Sequence, residues 1–365
     1  MGMTEEKFFH LLRYSIGAQG DAPQIKAEEW AAMHAMAAKQ SVLGVTFTGV
    51  ERMKACGGVF TCPRQLMLSW FTECENIERA SQRLDEAVVR VARTFARRGY
   101  RSCLLKGQGC AAMYPQPLRR NPGDIDLWLE GTDTDIISMV RSIDREARTL
   151  YHHIDFPEYK DIEIEVHYRP SFVQNLAHNR RLQHFFSSNS AEQFANITPD
   201  GSLKGVAVPT HEFNIVYQLA HINQHVLKDG IGLRQLTDYY FLLRAADGRT
   251  DRRVVDTLRQ VGLYPVATAV MYVMGEVFGM ERRLMIVPPD ERRGRAVMAE
   301  VVAGGNFGQR DERFHFARNR IGNNLQRFVR DIRLLRFFPS ETLSEPVFRL
   351  YHFFWRLRHR SIGRK

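Results

Sequence analysis

Apolar residues recur at three- and four-residue spacing over positions 7–12, 27–39 and 77–98, which predicts amphipathic helices in the first hundred residues. Thr61-Cys-Pro-Arg interrupts them. Pro63 is placed to open a helix and Gly99 to close one. Beyond Gly99 the period shortens. Residues 101–105 and 125–129 read as strands, and 152–156 and 162–168 as a pair of strands in the period-two pattern. Between them, 107–114 reads as a glycine-opened turn and short helix. Pro115, Pro117 and Pro122 impose an irregular loop, and 134–148 reads as a helix. From His211 the helical period returns, with breaks near Gly230-Ile-Gly232, Gly248, Pro288-Pro289, Gly304-Gly305 and Pro339. The expected fold class is α+β. A small mixed β-sheet core over residues 98–200 is flanked by an N-terminal helical segment, 1–97, and a larger C-terminal helical domain with a basic tail, 201–365.

Composition narrows the class. With 365 residues, 44% hydrophobic and 25% charged, the chain can bury a sizeable core, which excludes disorder as its main state. The most apolar run, 266–280, contains Glu276 and is too short to span a bilayer, so no transmembrane segment is expected. Glu5, Glu6 and Lys7 fall where a signal peptide needs apolar residues, so export is not expected either. Five cysteines, an odd number without a CxxC pair, fit a reducing cytoplasm rather than a disulfide framework or a zinc knuckle.

The formal net charge of +10 sits in one place. Residues 291–365 carry 17 Lys/Arg against 7 Asp/Glu, and the rest of the chain balances. The excess culminates in Arg349, Arg356, Arg358, Arg360, Arg364 and Lys365, mixed with Phe353, Phe354 and Trp355. Such an end can meet RNA, an acidic partner or an anionic membrane surface, or it can be a solvated helix face with a frayed tail.

The richest chemistry lies in Gly123-Asp-Ile-Asp-Leu-Trp128. On a strand, Asp124 and Asp126 share one face while Ile125 and Leu127 share the other. Same-face carboxylates repel unless a cation or donor sits between them, and Mg²⁺ takes such oxygen ligands together with substrate phosphates. Ile162-Glu-Ile-Glu-Val-His167 repeats the alternation, with Glu163, Glu165 and His167 on one face. Two such strands with meeting polar faces would surround one or two metals, the layout of two-metal phosphoryl transfer, with Glu165 near the attacking hydroxyl. Glu163 reads better as simply the solvent-side neighbour of Glu165.

Leu104-Leu-Lys-Gly107, Tyr114-Pro, Arg120 and Gly123-Asp-Ile-Asp-Leu127 resemble the uncharacterised nucleotidyltransferase family of the DNA polymerase beta-like superfamily. Glu165-Val-His-Tyr168 resembles the strand carrying the family's third carboxylate. Gly230-Ile-Gly-Leu-Arg-Gln-Leu-Thr-Asp238 is similar to a helical signature of bacterial members, and Gly304-Gly-Asn-Phe-Gly308 and Phe338-Pro-Ser-Glu341 also fit. The resemblance implies Mg²⁺- or Mn²⁺-dependent transfer of a nucleoside monophosphate from an NTP to an acceptor, with release of pyrophosphate. It makes Asp124, Asp126 and Glu165 the metal-holding catalytic residues and Gly107 the glycine of the triphosphate loop. The wider superfamily follows that glycine with Ser or Thr, whereas Gln108 follows here, and the gap from Gly107 to Asp124 is longer than in the compact pattern. Lys106 and Arg120 are the substitutes for phosphate charge, with Gly123 and Gln108 beside them. No base-reading motif selects an NTP, and the acceptor is not specified. The alternative is a non-catalytic nucleotide- or RNA-binding regulatory protein on the same fold.

Other patterns compete for attention. Gly107-Gln-Gly-Cys-Ala-Ala112 fits a dinucleotide fingerprint, but its helix stops at Pro115 and no second βαβ unit follows. His221 and His225 have the spacing of a zinc helix, yet Ile222 stands where a zinc protease carries its Glu, so packing is the better reading. Gly230 and Gly232 suit a tight turn between helices. Arg234 and Asp238, at i and i+4, either pair as a helix clamp or reach the nucleotide cleft. Trp128 and Tyr168 end the acidic strands and either stack on a base or pack in the core, and Cys103 and Cys110 read as small core residues.

Overall fold

The computed structural model describes residues 2–18, 20–57, 60–227, 230–305, 334–360 and 362–363. Four helices come first: α1 (Met3–Ser15), α2 (Trp30–Lys39), α3 (Leu43–Ala55) and α4 (Arg64–Arg97). The longest, α4, starts directly after Pro63 and buries Trp70, Cys74, Leu84, Val88, Val91 and Phe95 along one stripe. This spacing is the amphipathic pattern read from residues 77–98, extended backward to the proline.

The sheet follows. Strands β1 (Ser102–Leu104), β2 (Ile125–Leu129), β3 (His153–Tyr159) and β4 (Ile162–His167) lie in the order β1-β2-β4-β3. β1 runs antiparallel to β2, β2 parallel to β4, and β3 antiparallel to β4. The fold is α+β, as expected, with one small mixed sheet in a mostly helical chain. A four-residue helix, α5 (Gln108–Ala111), sits between β1 and β2, and α6 (Asp133–Arg141) between β2 and β3.

The aliphatic face of the sheet, with Ile125, Leu127, Ile154, Ile164 and Val166, packs with Leu84, Val88 and Phe95 of α4 and Ile136, Ile137 and Val140 of α6. Helices α7 (Leu176–Ser188) and α8 (Ser190–Ala195) lead to α9 (His211–Leu227), α10 (Leu233–Ala246), α11 (Arg252–Gln260), α12 (Tyr264–Phe278) and α13 (Glu291–Gly304). One apolar cluster joins this group to α1–α3: Phe8, Leu12, Trp30 and Phe47 share it with Tyr217, Leu236, Met271 and Val297. No helix among the described residues is long and apolar enough to cross a membrane.

One expectation changes, and one open reading is decided. The helix read over 134–148 ends at Arg141, because the Asp144 carboxylate accepts the Glu146 N–H in a local turn that competes with helix. Trp128 and Tyr168 are core residues. Trp128 stacks on Phe213 at 5.7 Å, and the Tyr168 ring stacks on Trp355 at 6.1 Å.

The C-terminal helix, α14 (Pro339–His359), is docked along its inner face. Phe348 stacks on Phe172 with centroids 4.9 Å apart, and the buried Arg141 donates to the carbonyls of His359 and Ile362 at 2.9 and 2.8 Å. Arg356, Arg358 and Arg360 are exposed. Arg364, Lys365 and residues 306–308 of the glycine-rich motif lie outside the described residues.

Candidate active site

Parallel pairing of β2 with β4 sets Asp126 directly opposite Glu165 and Trp128 opposite His167. Antiparallel pairing of β3 with β4 sets His153 opposite His167 and Asp155 opposite Glu165. Alternation along each strand therefore collects Asp126, Glu165, His167 and His153 on the face opposite the aliphatic core. Asp124 precedes β2 by one residue and shares the parity of Asp126. Glu163 is exposed. With Asp124, Glu165 and Arg234 it lines an open groove of ≈ 990 Å³ between α4 and the β3–β4 turn.

The carboxylates are held in a chain of short polar contacts. Lys106 Nζ lies 2.8 Å from Asp126 Oδ1, and His167 Nε2 lies 2.9 Å from the same oxygen and 3.3 Å from Glu165 Oε2. Burial opposes the charge on Lys106, but Asp126, Asp124 and Glu165 outweigh it and hold the ammonium pKa above its ordinary value. Burial likewise opposes the His167 charge. Hydrogen bonds to Asp126 and Glu165 overcome it and bring the imidazole up to about 9. Burial works against Glu165 too, but His167, His153 and Lys106 hold its carboxyl down at about 2. The site thus balances a dense negative charge with its own cations. One atom is left over: Asp126 Oδ2 is buried and accepts no hydrogen bond. A buried carboxylate oxygen without a partner is costly, and a cation is what would satisfy it.

Gly107 caps α5 at φ 56°, a conformation open to glycine, and brings the turn against the Asp124 carbonyl, 3.4 Å from where a Cβ would stand. Gln108 faces away from the cleft. It is buried and donates to the Asp85 carboxylate and the Ser81 carbonyl of α4. Arg120 is also committed elsewhere. Its Nε and Nη2 donate to both oxygens of Asp238 at 2.8 and 2.9 Å, and Tyr114 Oη donates to the same carboxylate at 2.6 Å.

Asp238 therefore pairs with Arg120, not with Arg234 one turn before it, which corrects the i, i+4 clamp. Arg234 instead donates to the Pro122 carbonyl at 3.0 Å, and its guanidinium lies 3.1 Å from where a Cβ on Gly123 would stand. It borders the cleft beside Asp124. Gly232 stands at the N-cap of α10, two residues before Arg234, and Gly230 has φ 88°.

The opposite wall comes from α9, which the sequence marked only for its histidines. Tyr217 is buried with its hydroxyl unpaired, and Asp126 and Glu165 add to the burial that pushes its pKa up. His221 and His225 contact each other at 3.1 Å between Nε2 atoms. Burial and nearby Lys106 hold His221 well below the ordinary histidine range, hence neutral. Cys103 and Cys110 are buried, and burial pushes both thiols up, so neither is an activated nucleophile. His152 and His153 were missed as site residues. Their adjacency at the start of a predicted strand next to the acidic one was the available signal.

In-register carboxylates on neighbouring parallel strands, with buried cations at their ends, can bind hard metal ions and phosphate oxygens together. This is the chemistry of phosphoryl-group and nucleotidyl-group transfer. The chain belongs to the uncharacterised nucleotidyltransferase family, whose family model matches residues 26–279, from before α2 to the end of α12. Nucleotidyl transfer is thus its general function, and both acidic strands lie within the match. No curated protein matches the chain.

Proposed function

We propose that the protein transfers a nucleoside monophosphate from an NTP to an acceptor hydroxyl, using Mg²⁺ or Mn²⁺ held by Asp124, Asp126 and Glu165. The observation that carries this reading is the register pairing of Asp126 with Glu165 beside the unsatisfied Asp126 Oδ2. Oxygen donors of this kind suit a hard divalent ion. Such ions, when bound, neutralise the triphosphate and acidify the acceptor hydroxyl.

The chain's own residues supply the rest. Lys106, now paired with Asp126, is placed to exchange that carboxylate for a phosphate oxygen. Arg234 offers a second cation at the Gly123–Asp124 edge. Gly107 lets the backbone come close to the triphosphate. Arg120, gripped by the Asp238 carboxylate that Tyr114 also holds, positions the loop that delivers Asp124 rather than touching the nucleotide. The acceptor oxygen bonds to the α-phosphorus while the bond to the bridging oxygen of pyrophosphate breaks in line. The hydroxyl proton passes to the carboxylate cluster at Glu165.

Calorimetry with a non-hydrolysable NTP tests the binding half. Binding is expected only with Mg²⁺ or Mn²⁺, and Asp126→Asn is expected to abolish it. Metal-independent binding that survives Asp126→Asn would favour the regulatory-protein alternative.

A further inference from the structure

Glu165 and His167 Nε2, the latter 2.9 Å from Asp126 Oδ1, have further neighbours at the start of β3. His153 Nδ1 lies 3.2 Å from Glu165 Oε2 and 3.1 Å from His152 Nε2. His167 Nε2 lies 3.3 Å from the same Glu165 oxygen. One ring nitrogen from each of His152, His153 and His167 falls within 4.8 Å of the other two. The three rings stand 4.4, 5.4 and 5.2 Å apart between centroids.

From these contacts we infer a second metal site, made of His152, His153, His167 and Glu165, that takes a transition metal of the Zn²⁺ class rather than Mg²⁺. Ligand atoms about 2.0–2.2 Å from a tetrahedral ion stand roughly 3.3 Å from one another. The three consecutive separations, 3.1, 3.2 and 3.3 Å, match three of the six edges of such a tetrahedron, and the three histidine nitrogens lie within 4.8 Å of one another. The chemistry agrees, because imidazole nitrogens prefer zinc, nickel or iron, while Mg²⁺ prefers oxygen.

A further feature separates these rings from histidines that merely pack. A metal-bound imidazole almost always gives its other nitrogen to a carboxylate or a backbone carbonyl. His167 turns Nδ1 to the Arg169 carbonyl at 3.4 Å, and His153 turns Nε2 to Asp155 at 3.5 Å. Loss of the proton on the inward nitrogen gives each ring a lone pair for a metal. Binding at His167 displaces the proton that its Nε2 now shares with Asp126 and Glu165. Glu165 then stands between this nitrogen-rich site and the oxygen-rich one at Asp124 and Asp126. The inference rests on the three histidines and Glu165 and does not depend on nucleotidyl transfer.

The test uses the full-length protein, stripped of metal and titrated with Zn²⁺ in excess Mg²⁺. One tightly bound Zn²⁺ per chain is expected. It should be retained in Asp124→Ala and weakened at least about tenfold in His152→Ala and in His153→Gln. Cobalt(II) in the wild-type chain is expected to give the intense visible bands of a four-coordinate ion. It should also give hyperfine-shifted exchangeable imidazole N–H signals, a readout that needs no variant to fold. Zinc binding that Mg²⁺ displaces, that Asp124→Ala abolishes, or that both histidine variants retain would overturn the inference. So would the absence of zinc binding or of shifted imidazole signals.

Discussion

Arg120 and Asp238, 118 positions apart, close a two-point ion pair at 2.8 and 2.9 Å with both side chains buried. The pair ties the proline-rich loop before Asp124 to α10, and Tyr114 Oη completes the carboxylate's bonds. Removing one partner strands the other charge out of water. Asp238→Ala is therefore expected to cost about 3–5 kcal/mol of unfolding free energy, measured by urea titration. A loss below about 1 kcal/mol would mean that Arg120 finds water or another acceptor.

The charges at the site give the stability a defined pH dependence. The His167 pKa is raised to about 9, so its contribution is complete below the unfolded value near 6.5 and fades as pH rises through 9. The Glu165 pKa is held down at about 2, so its contribution is complete above roughly 4.5 and is lost as pH falls through 2. Both contribute fully between roughly pH 4.5 and 6.5. Urea unfolding in EDTA at pH 6 and pH 9.5 should show wild type losing on the order of 3 kcal/mol more than His167→Gln. Equal losses would contradict the charged state assigned to His167.

Lys106 holds the place near Asp126 that a bound cation would share. Lys106→Gln is expected to strengthen Mn²⁺ binding in the absence of nucleotide, because one competing charge is gone. The same variant should bind Mg²⁺–NTP about tenfold more weakly or worse, having lost a charge-assisted bond. Calorimetry reads both. A variant that weakens the two equally would make Lys106 a structural support only.

Thiol reactivity checks the packing. Cys56 is exposed, while burial pushes Cys62 up to about 11 and Cys74 up to about 12, and Cys103 and Cys110 are fully enclosed. Titration with an aromatic disulfide at pH 8 is expected to modify one cysteine quickly and all five only in denaturant. Two or more fast thiols in the native protein would contradict the burial of the α4 and α5 surfaces.

Much of the site was legible because strand alternation is local. Ile125-Asp-Leu and Ile164-Glu-Val each announce a strand with one acidic and one aliphatic face. Their parallel register, Asp126 opposite Glu165, depends on tertiary packing and was not. The partner of Asp238 was left open for the same reason. Helical spacing offers Arg234, but the fold offers Arg120 with two matched hydrogen bonds. Helix α3 carried no clear signal, since Gly44, Gly49 and its β-branched residues lower helix propensity. Those glycines are explained by packing: a Cβ on Gly44 would strike the Arg119 carbonyl, and one on Gly49 the Ser15 side chain. Helices α7 and α8, with few apolar residues, gave no pattern over 176–195.

The central claim is nucleotidyl transfer at Asp124, Asp126 and Glu165, and α-labelled NTPs test it most directly. Wild-type protein, Asp126→Asn and Glu165→Gln are incubated with each NTP, Mg²⁺ or Mn²⁺, and RNA, protein and small-molecule fractions of a cell extract. The account predicts metal-dependent transfer of label into one fraction by the wild type, reduced at least about a thousandfold in both variants. No transfer by the wild type with any NTP and fraction, or equal transfer by the variants, would contradict it.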